Sequence, residues 1–445
     1  MNLTSINITN FRCFKAYHLN FAPSTTILIG RNGAGKSTVL KALESVLSMI
    51  FAKDKSLGDD ILVKGNVKLK VVKFKESDFH YDSSKGVYAR ELDINAIGTI
   101  NNKQETWELY QESSTQYPHF SKYAKAFTEL MDEYNETGEL PLIASYSDTF
   151  SYNEKKLSDY EADSVIMDQM PRIFGYHKGF DEEGIVGLWE NRFVNTYLGL
   201  SSEVQEIQKK PDSPEFDGVV GAIRAFSEYL KAESDEFVIR TIGHRYVRQR
   251  TNSLLFFFSD GSKKVFSELP AGYRRLFAIV FDIAYRSYVL NKHCNSKGIV
   301  LIDEVDSHLH PSIATRVVKA LQQTFPNIQF IITTHSPLVL THLNTAKTIN
   351  GVKSNTIMLI DKNASRPMAE EVTDVYGLDY NTGLRDVMNV EEREPDVSDL
   401  IDQLVQYKMM NDMEGYAKTH NQLEVLMGDS IREADKEVEL IMKGL

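Results

Sequence analysis

Cysteine is nearly absent, with only Cys13 and Cys294 in 445 residues. Two thiols cannot build a disulfide framework or a cysteine-rich zinc site. Long hydrophobic runs are missing too, and no stretch approaches the roughly 18 apolar residues that cross a membrane. The start, Met1-Asn2-Leu3-Thr4-Ser5, lacks the basic and then apolar pattern of a secretion signal. These absences make a cytoplasmic location the expectation. Positive charge is in deficit, with 62 Asp and Glu against 50 Lys and Arg and a net charge of −12. That balance argues against indiscriminate nucleic-acid binding. It leaves room for a local basic groove around Arg240, His244, Arg245, Arg248 and Arg250. No glycine- or proline-rich linker divides the chain, which argues against separate beads on a string. No heptad pattern persists for three or four repeats, which excludes a long coiled-coil arm. The length fits about three domains, or one large domain with an insertion.

Against this background one segment stands out, Gly30-Arg31-Asn32-Gly33-Ala34-Gly35-Lys36-Ser37. It fits the pattern Gly-x-x-x-x-Gly-Lys-Ser/Thr of a phosphate-binding loop. Thr26 to Ile29 before it is a short β-prone run, and Thr38 to Met49 after it has apolar residues at helical spacing. A strand, a glycine loop and a helix N-terminus make an anion site. Loop N–H groups from Gly33 to Thr38 would face phosphates, Lys36 would reach the outer ones and the Ser37 hydroxyl would ligate Mg²⁺.

Three later segments carry related signals. Gly298 to Ile302 is an apolar run followed by Asp303 and Glu304. Such a run suits a buried strand of a parallel sheet. Asp303 would complete the Mg²⁺ shell and Glu304 would polarise an attacking water as general base. Ile328 to Thr334 is a second apolar run, ending in His335. One helix, Ser312 to Thr324, separates the two, so His335 belongs at the same sheet edge. Leu269-Pro270-Ala271-Gly272-Tyr273 opens a long helix, Leu276 to Val289, after a hairpin signal at Asp260-Gly261. The pair His308 and His310 has no third ligand spaced nearby to make a metal site.

The order of these four segments resembles the ATP-binding-cassette (ABC) superfamily, and most closely its soluble branch of SMC, RecF and overcoming-lysogenization (OLD) ATPases. Ile8 to Phe14 is similar to that branch's opening strand. The resemblance implies that Arg12 and Asn32 contact nucleotide, and that His335 senses the γ-phosphate. Ala271 and Gly272 correspond to the signature motif, with Pro270 in place of its serine, and imply a homodimer with composite ATP sites. Asp306 to Pro311 resembles the D-loop. Asp59 or Asp60 stands where the Q-loop glutamine is expected. The implied fold is α/β, an ABC-type P-loop ATPase domain with a mixed sheet. It is interrupted by a mainly helical insertion and followed by a C-terminal helical tail. The expected divisions are 1–72 for the first ATPase part and 73–251 for an insertion with a β-rich start. Residues 252–345 form the second ATPase part, and 346–445 a small β unit with the tail.

The tail is expected to form three short helices from Pro395 onward, and Met170 to His177 an ordered loop. With Asn389 to Pro395 before it, the tail resembles that of defence ATPases encoded beside an HNH nuclease, of which the Septu ATPase PtuA, also found with retrons, is the nearest family. That resemblance implies an Mg²⁺-dependent ATPase subunit of an antiphage complex, assembled into a higher homo-oligomer and regulating a partner HNH nuclease. Two alternatives compete. A RecF-like repair ATPase would want a basic duplex-binding face. A self-contained OLD-type nuclease would want a late metal-binding acidic cluster, yet no Asp-x-Asp pair follows Ser336.

Overall fold

Strands with apolar side chains on both faces need cover from both sides. The computed structural model meets that need for the motif-bearing runs. It describes residues 1–48, 74–115, 119–121, 123–150, 170, 172–180, 186–200, 213–231, 237–246, 252–349, 351–361, 368–387 and 395–444. The expectations at Asp59 and Asp60 and at Asn389 to Glu394 lie outside them.

The chain begins with β1 (Asn2–Phe11), β2 (Phe14–Asn20) and β3 (Thr25–Ile29), then helix α1 (Lys36–Leu47). The hairpin of β4 (Glu91–Ile100) and β5 (Lys103–Glu112) follows, then β6 (His119–Ser121), α2 (Tyr123–Thr137) and β7 (Leu142–Tyr146). Helices α3 (Val186–Leu200) and α4 (Pro214–Leu230) precede a small sheet of β8 (Ile239–Tyr246), β9 (Asn252–Phe258) and β10 (Lys263–Val265). Then come α5 (Ala271–Asn291), β11 (Gly298–Ile302), α6 (Val317–Thr324), β12 (Ile328–Thr333), β13 (Asn355–Leu359) and β14 (Glu370–Val372).

The central sheet runs β14-β13-β3-β12-β11-β7. All its pairings are parallel except that of β14 with β13. The carboxyl ends of β3, β11 and β12 therefore share one edge. A second sheet, β2-β1-β4-β5-β6, is antiparallel. Along β4 buried positions alternate with more open ones, as one-sided cover requires. Trp107 of β5 is fully buried and its Nε1 donates to the Val46 carbonyl at the end of α1. The amide of Gln329 in β12 accepts from Leu3 N and donates to the carbonyls of Leu3 and Ala22. It thereby ties the two sheets together inside the core.

Pairing redraws the expected divisions. The segment from 73 to 251 contributes strands to both large sheets. Its hairpin β4–β5 pairs with β1, and β7 extends the central sheet beside β11. The β unit expected at Thr356 to Ile360 likewise joins that sheet, beside β3. The compact division falls between Leu378 and Asp379 rather than at 345, because backbone ladders hold everything before it. Met170 to His177, expected as a loop, contains a 3₁₀ turn at Arg172–Tyr176. The helix expected over Ser312 to Thr324 is two, Pro311–Ala314 and then α6. Among the described residues no helix is long and apolar enough to cross a membrane.

The second unit, Asp379–Leu445, contains α7 (Pro395–Met409), α8 (Met413–Met427) and α9 (Ile431–Gly444). Helices this short gain stability by burying a face. Ile401, Leu404, Val405, Leu423, Ala434 and Val438 do so against one another. Asp412 caps α8 by accepting from Gly415 N. Leu426 and Leu440 are exposed.

The helical side of the first unit has a polar centre. Asp282 of α5 is fully buried and accepts from Tyr146 Oη (2.7 Å), Trp189 Nε1 (2.6 Å) and Arg286 Nε (2.6 Å). Arg286 Nη1 spends its remaining reach on the carbonyls of Gly175 and His177. Removing one partner of such a pair strands a buried charge, at about 3–5 kcal/mol. Asp282→Ala is accordingly expected to lower unfolding stability by about that amount. A denaturant midpoint equal to the parent's would show that the network contributes little.

Candidate nucleotide-binding and hydrolysis site

At the end of β3 the backbone turns away from the sheet through residues that a side chain would obstruct. Gly30 has φ +149°, and a Cβ there would stand 2.4 Å from the Ile360 carbonyl oxygen. Gly35 has φ +113°, and its Cβ would meet the Phe14 ring at 2.5 Å and Cys13 Sγ at 3.1 Å. The β1–β2 turn is thus packed on the loop just where α1 begins. Asn32 and Gly33 are exposed, Ala34 is buried, and Thr38 is half-buried in the first turn of α1. Lys36 Nζ donates to the Gly30 carbonyl at 2.9 Å and reaches that of Arg31 at 3.4 Å. Burial lowers the Lys36 pKa from its ordinary value, while the carboxylates of Asp303 and Glu304 oppose that shift. An ammonium on a glycine loop at a helix N-terminus suits a polyanion.

The acids arrive from the far side of the sequence. Register sets Ile302 of β11 against Ile332 of β12, and Thr333 of β12 against Leu28 of β3. Ser37 Oγ then donates to Asp303 Oδ2 at 3.0 Å. A hydroxyl and a carboxylate at one point are the hard oxygen donors that Mg²⁺ takes from a protein, alongside water and phosphate. These two residues could hold that ion. Glu304 follows with φ +48°, a region that non-glycine residues seldom occupy. Its N–H donates to Thr333 Oγ1 at 2.8 Å, and its carbonyl accepts from Arg275 Nη1 at 2.8 Å. Thr333 Oγ1 in turn donates to Asp303 Oδ1, and Thr334 Oγ1 to Asp306 Oδ1. His335 comes immediately after these two threonines at the same edge and is half-buried.

Arg12 lies in the β1–β2 turn, but its guanidinium pairs with Asp78, Nε at 2.9 Å and Nη2 at 2.8 Å from Oδ1. Ala271 and Gly272 open α5. Ala271 is exposed, while a Cβ on Gly272 would lie 2.5 Å from the His308 carbonyl oxygen. Gly272 is therefore docked on the loop after Glu304, and among the described residues no hydrogen bond joins either residue to Lys36 or Ser37. Of the expected basic groove, Arg240 is exposed and donates to the Ser259 carbonyl, while Arg248 and Arg250 lie outside the described residues. His310 caps the helix Pro311–Ala314.

Sequence reasoning passes over Arg275, Thr333 and Ser147. Arg275 is buried, and its Nη2 donates to the carbonyls of Ser147 (3.0 Å) and Asp303 (2.6 Å). Burial lowers its pKa, against the pull of Asp148, Asp303, Asp306 and Glu304. The available signals are slight: an Arg one turn into the helix after Gly272, and a Thr pair before His335.

Known proteins resemble this chain over most of its length. The family model described as "AAA domain, putative AbiEii toxin, Type IV TA system" matches residues 25–341, more than half of the chain. The chain is 28% identical over 385 residues to the retron Vc95 probable ATPase of Vibrio cholerae, covering 77% of this chain and 71% of that one. It is 24% identical to the Septu protein PtuA of Bacillus thuringiensis, covering 84% and 81%. Among solved structures, the SMC head domain of Thermotoga maritima aligns over 84% of this chain and 98% of that one, at 14% identity and a TM-score of 0.42.

Lys36→Ala deletes the ammonium at the loop. Hydrogen bonds to charged groups contribute about 1.5–3 kcal/mol, so ATP affinity is expected to fall about 10- to 100-fold. Unchanged affinity by equilibrium titration would remove Lys36 from the site.

Proposed function

The chain belongs to this AAA-domain family, and we propose that it binds ATP with Mg²⁺ between two copies of itself and hydrolyses it to control a partner nuclease in a prokaryotic antiphage complex. The observation that carries the hydrolytic part is the Ser37–Asp303 contact, which joins the phosphate loop to the acid-bearing strand. In this reading the N–H groups of Gly33 to Thr38, with Lys36 and Asn32, hold the phosphates. Ser37 and Asp303 hold Mg²⁺. When bound, that ion neutralises charge developing on the transferred phosphate. Glu304 takes the proton from the attacking water. His335, at the same edge, contacts the outer phosphate.

Ala271 is exposed at the start of α5, where the free N–H groups of a helix attract anions. We assign those groups to the nucleotide of a second copy, which gives two composite sites across a two-fold interface. The names of the retron and Septu relatives support placing the protein in such a defence system, acting in the cytoplasm. The partner is then an HNH-type nuclease encoded nearby, and the three-helix unit from Asp379 to Leu445, with Leu426 and Leu440 exposed, is the surface that holds it or joins dimers into a higher homo-oligomer.

Two measurements test this reading. The close packing of Gly272 on His308 makes Gly272 a poor probe, since a larger side chain would disturb the same chain's own loop. Ala271→Asp sets a carboxylate toward the neighbouring phosphate without that clash. Chains carrying Lys36→Ala and Ala271→Asp, each inactive alone, should as an isolated mixed dimer show about half the parental ATPase activity, since one of the two shared sites is intact. No recovery in proven mixed dimers would rule out shared sites. Deleting 379–445 and coexpressing the chain with its neighbouring nuclease should abolish copurification or higher assembly while ATP affinity stays within about threefold. Full retention of both associations would contradict the role given to that unit.

A further inference from the structure

Glu304 is the one acid at the site whose backbone is left-handed, φ +48°. Left to itself, a non-glycine residue avoids that region. Such conformations persist only where the surroundings over-determine them. Here both polar atoms of its peptide units are held by side chains from other elements. The N–H donates to Thr333 Oγ1 of β12, and the carbonyl accepts from Arg275 Nη1 of α5. The same Thr333 hydroxyl also donates to Asp303. The other arm of Arg275 holds the carbonyls of Asp303 and Ser147, so three carbonyls from two adjacent strand ends converge on one buried guanidinium.

We propose that Thr333 and Arg275 are positioning residues for the hydrolytic reaction: they fix the left-handed turn at Glu304 and so aim its carboxylate at the water. This rests on the reading of Glu304 as the base. Neither side chain is asked to touch nucleotide. Arg275 adds a link, because it lies four residues after Ala271, on the same face of α5. The helix that meets the neighbour's nucleotide therefore carries the group that shapes this chain's own base.

The experiment separates hydroxyl chemistry from packing. Thr333→Ser keeps the hydroxyl and loses a methyl, whereas Thr333→Val keeps the shape and loses the hydroxyl. The proposal predicts that Thr333→Ser retains kcat within about threefold, whereas Thr333→Val loses about 10- to 100-fold, the factor expected when strain of this kind is released. ATP affinity and the half-saturating Mg²⁺ concentration should stay within about threefold in both. A Thr333→Val protein with parental kcat overturns the proposal, as does a Thr333→Ser protein that is the more impaired of the two. So does a loss in Thr333→Val that saturating Mg²⁺ restores, since Thr333 would then act through Asp303 alone. Arg275→Lys is an independent arm, because an ammonium cannot span the three carbonyls. It should lower kcat by a similar factor with ATP affinity kept, and parental kcat would overturn the role of Arg275. Glu304→Gln serves as control. If that variant hydrolyses ATP at the parental rate, the base assignment itself falls. If it is inactive while Thr333→Val and Arg275→Lys are parental, only the positioning claim falls.

Discussion

One hydrogen bond, Ser37 Oγ to Asp303 Oδ2, joins residues 266 positions apart, and the site exists only where it can form. It requires β3, β12 and β11 to lie side by side in parallel with their carboxyl ends level. The register of those strands supplies that, and their burial on both faces makes the register costly to change. The remaining structure can be read as support for this alignment. The antiparallel sheet fastens to β12 through Gln329, and α1 is held from behind by Trp107.

The opposite side of the site is governed by charge in a buried setting. Arg275 and the Asp282–Arg286 pair lie on one helix, α5, roughly two to three turns apart. Each reaches carbonyls or side chains from the strand ends and the 3₁₀ turn at Arg172–Tyr176. Tyr146 closes the link, since it ends β7 and also donates to Asp282. These hydrogen bonds tie α5 at two points to the ends of β7 and β11.

Patterns that are local and contiguous were legible in the sequence. The glycine loop between strand and helix, and the apolar runs ending in Asp303-Glu304 and in His335, each carry their meaning within about ten residues. The α/β class and the ATPase family follow from them, as the family match over residues 25–341 bears out. What could not be read depends on pairing at long range. Leu142 to Tyr146 is an apolar run, and only its ladder with β11 makes it part of the central sheet. The same holds for Asn355–Leu359 beside β3. Thr333 looked like the polar end of a strand and Arg275 like an ordinary helix residue. Their importance depends on a single backbone angle at Glu304, which no pattern of residue types announces. Arg12 rests on a resemblance alone, which gives no sign of the ion pair that its guanidinium makes with Asp78.

The central claim is that two distant parts of the chain form one hydrolytic site whose base is Glu304. Its most direct test is the nucleotide retained by a Glu304→Gln protein after incubation with ATP and Mg²⁺ and removal of free nucleotide. The account predicts a stable dimer holding two molecules of unhydrolysed ATP. Retained ADP, or a monomer holding none, would contradict it.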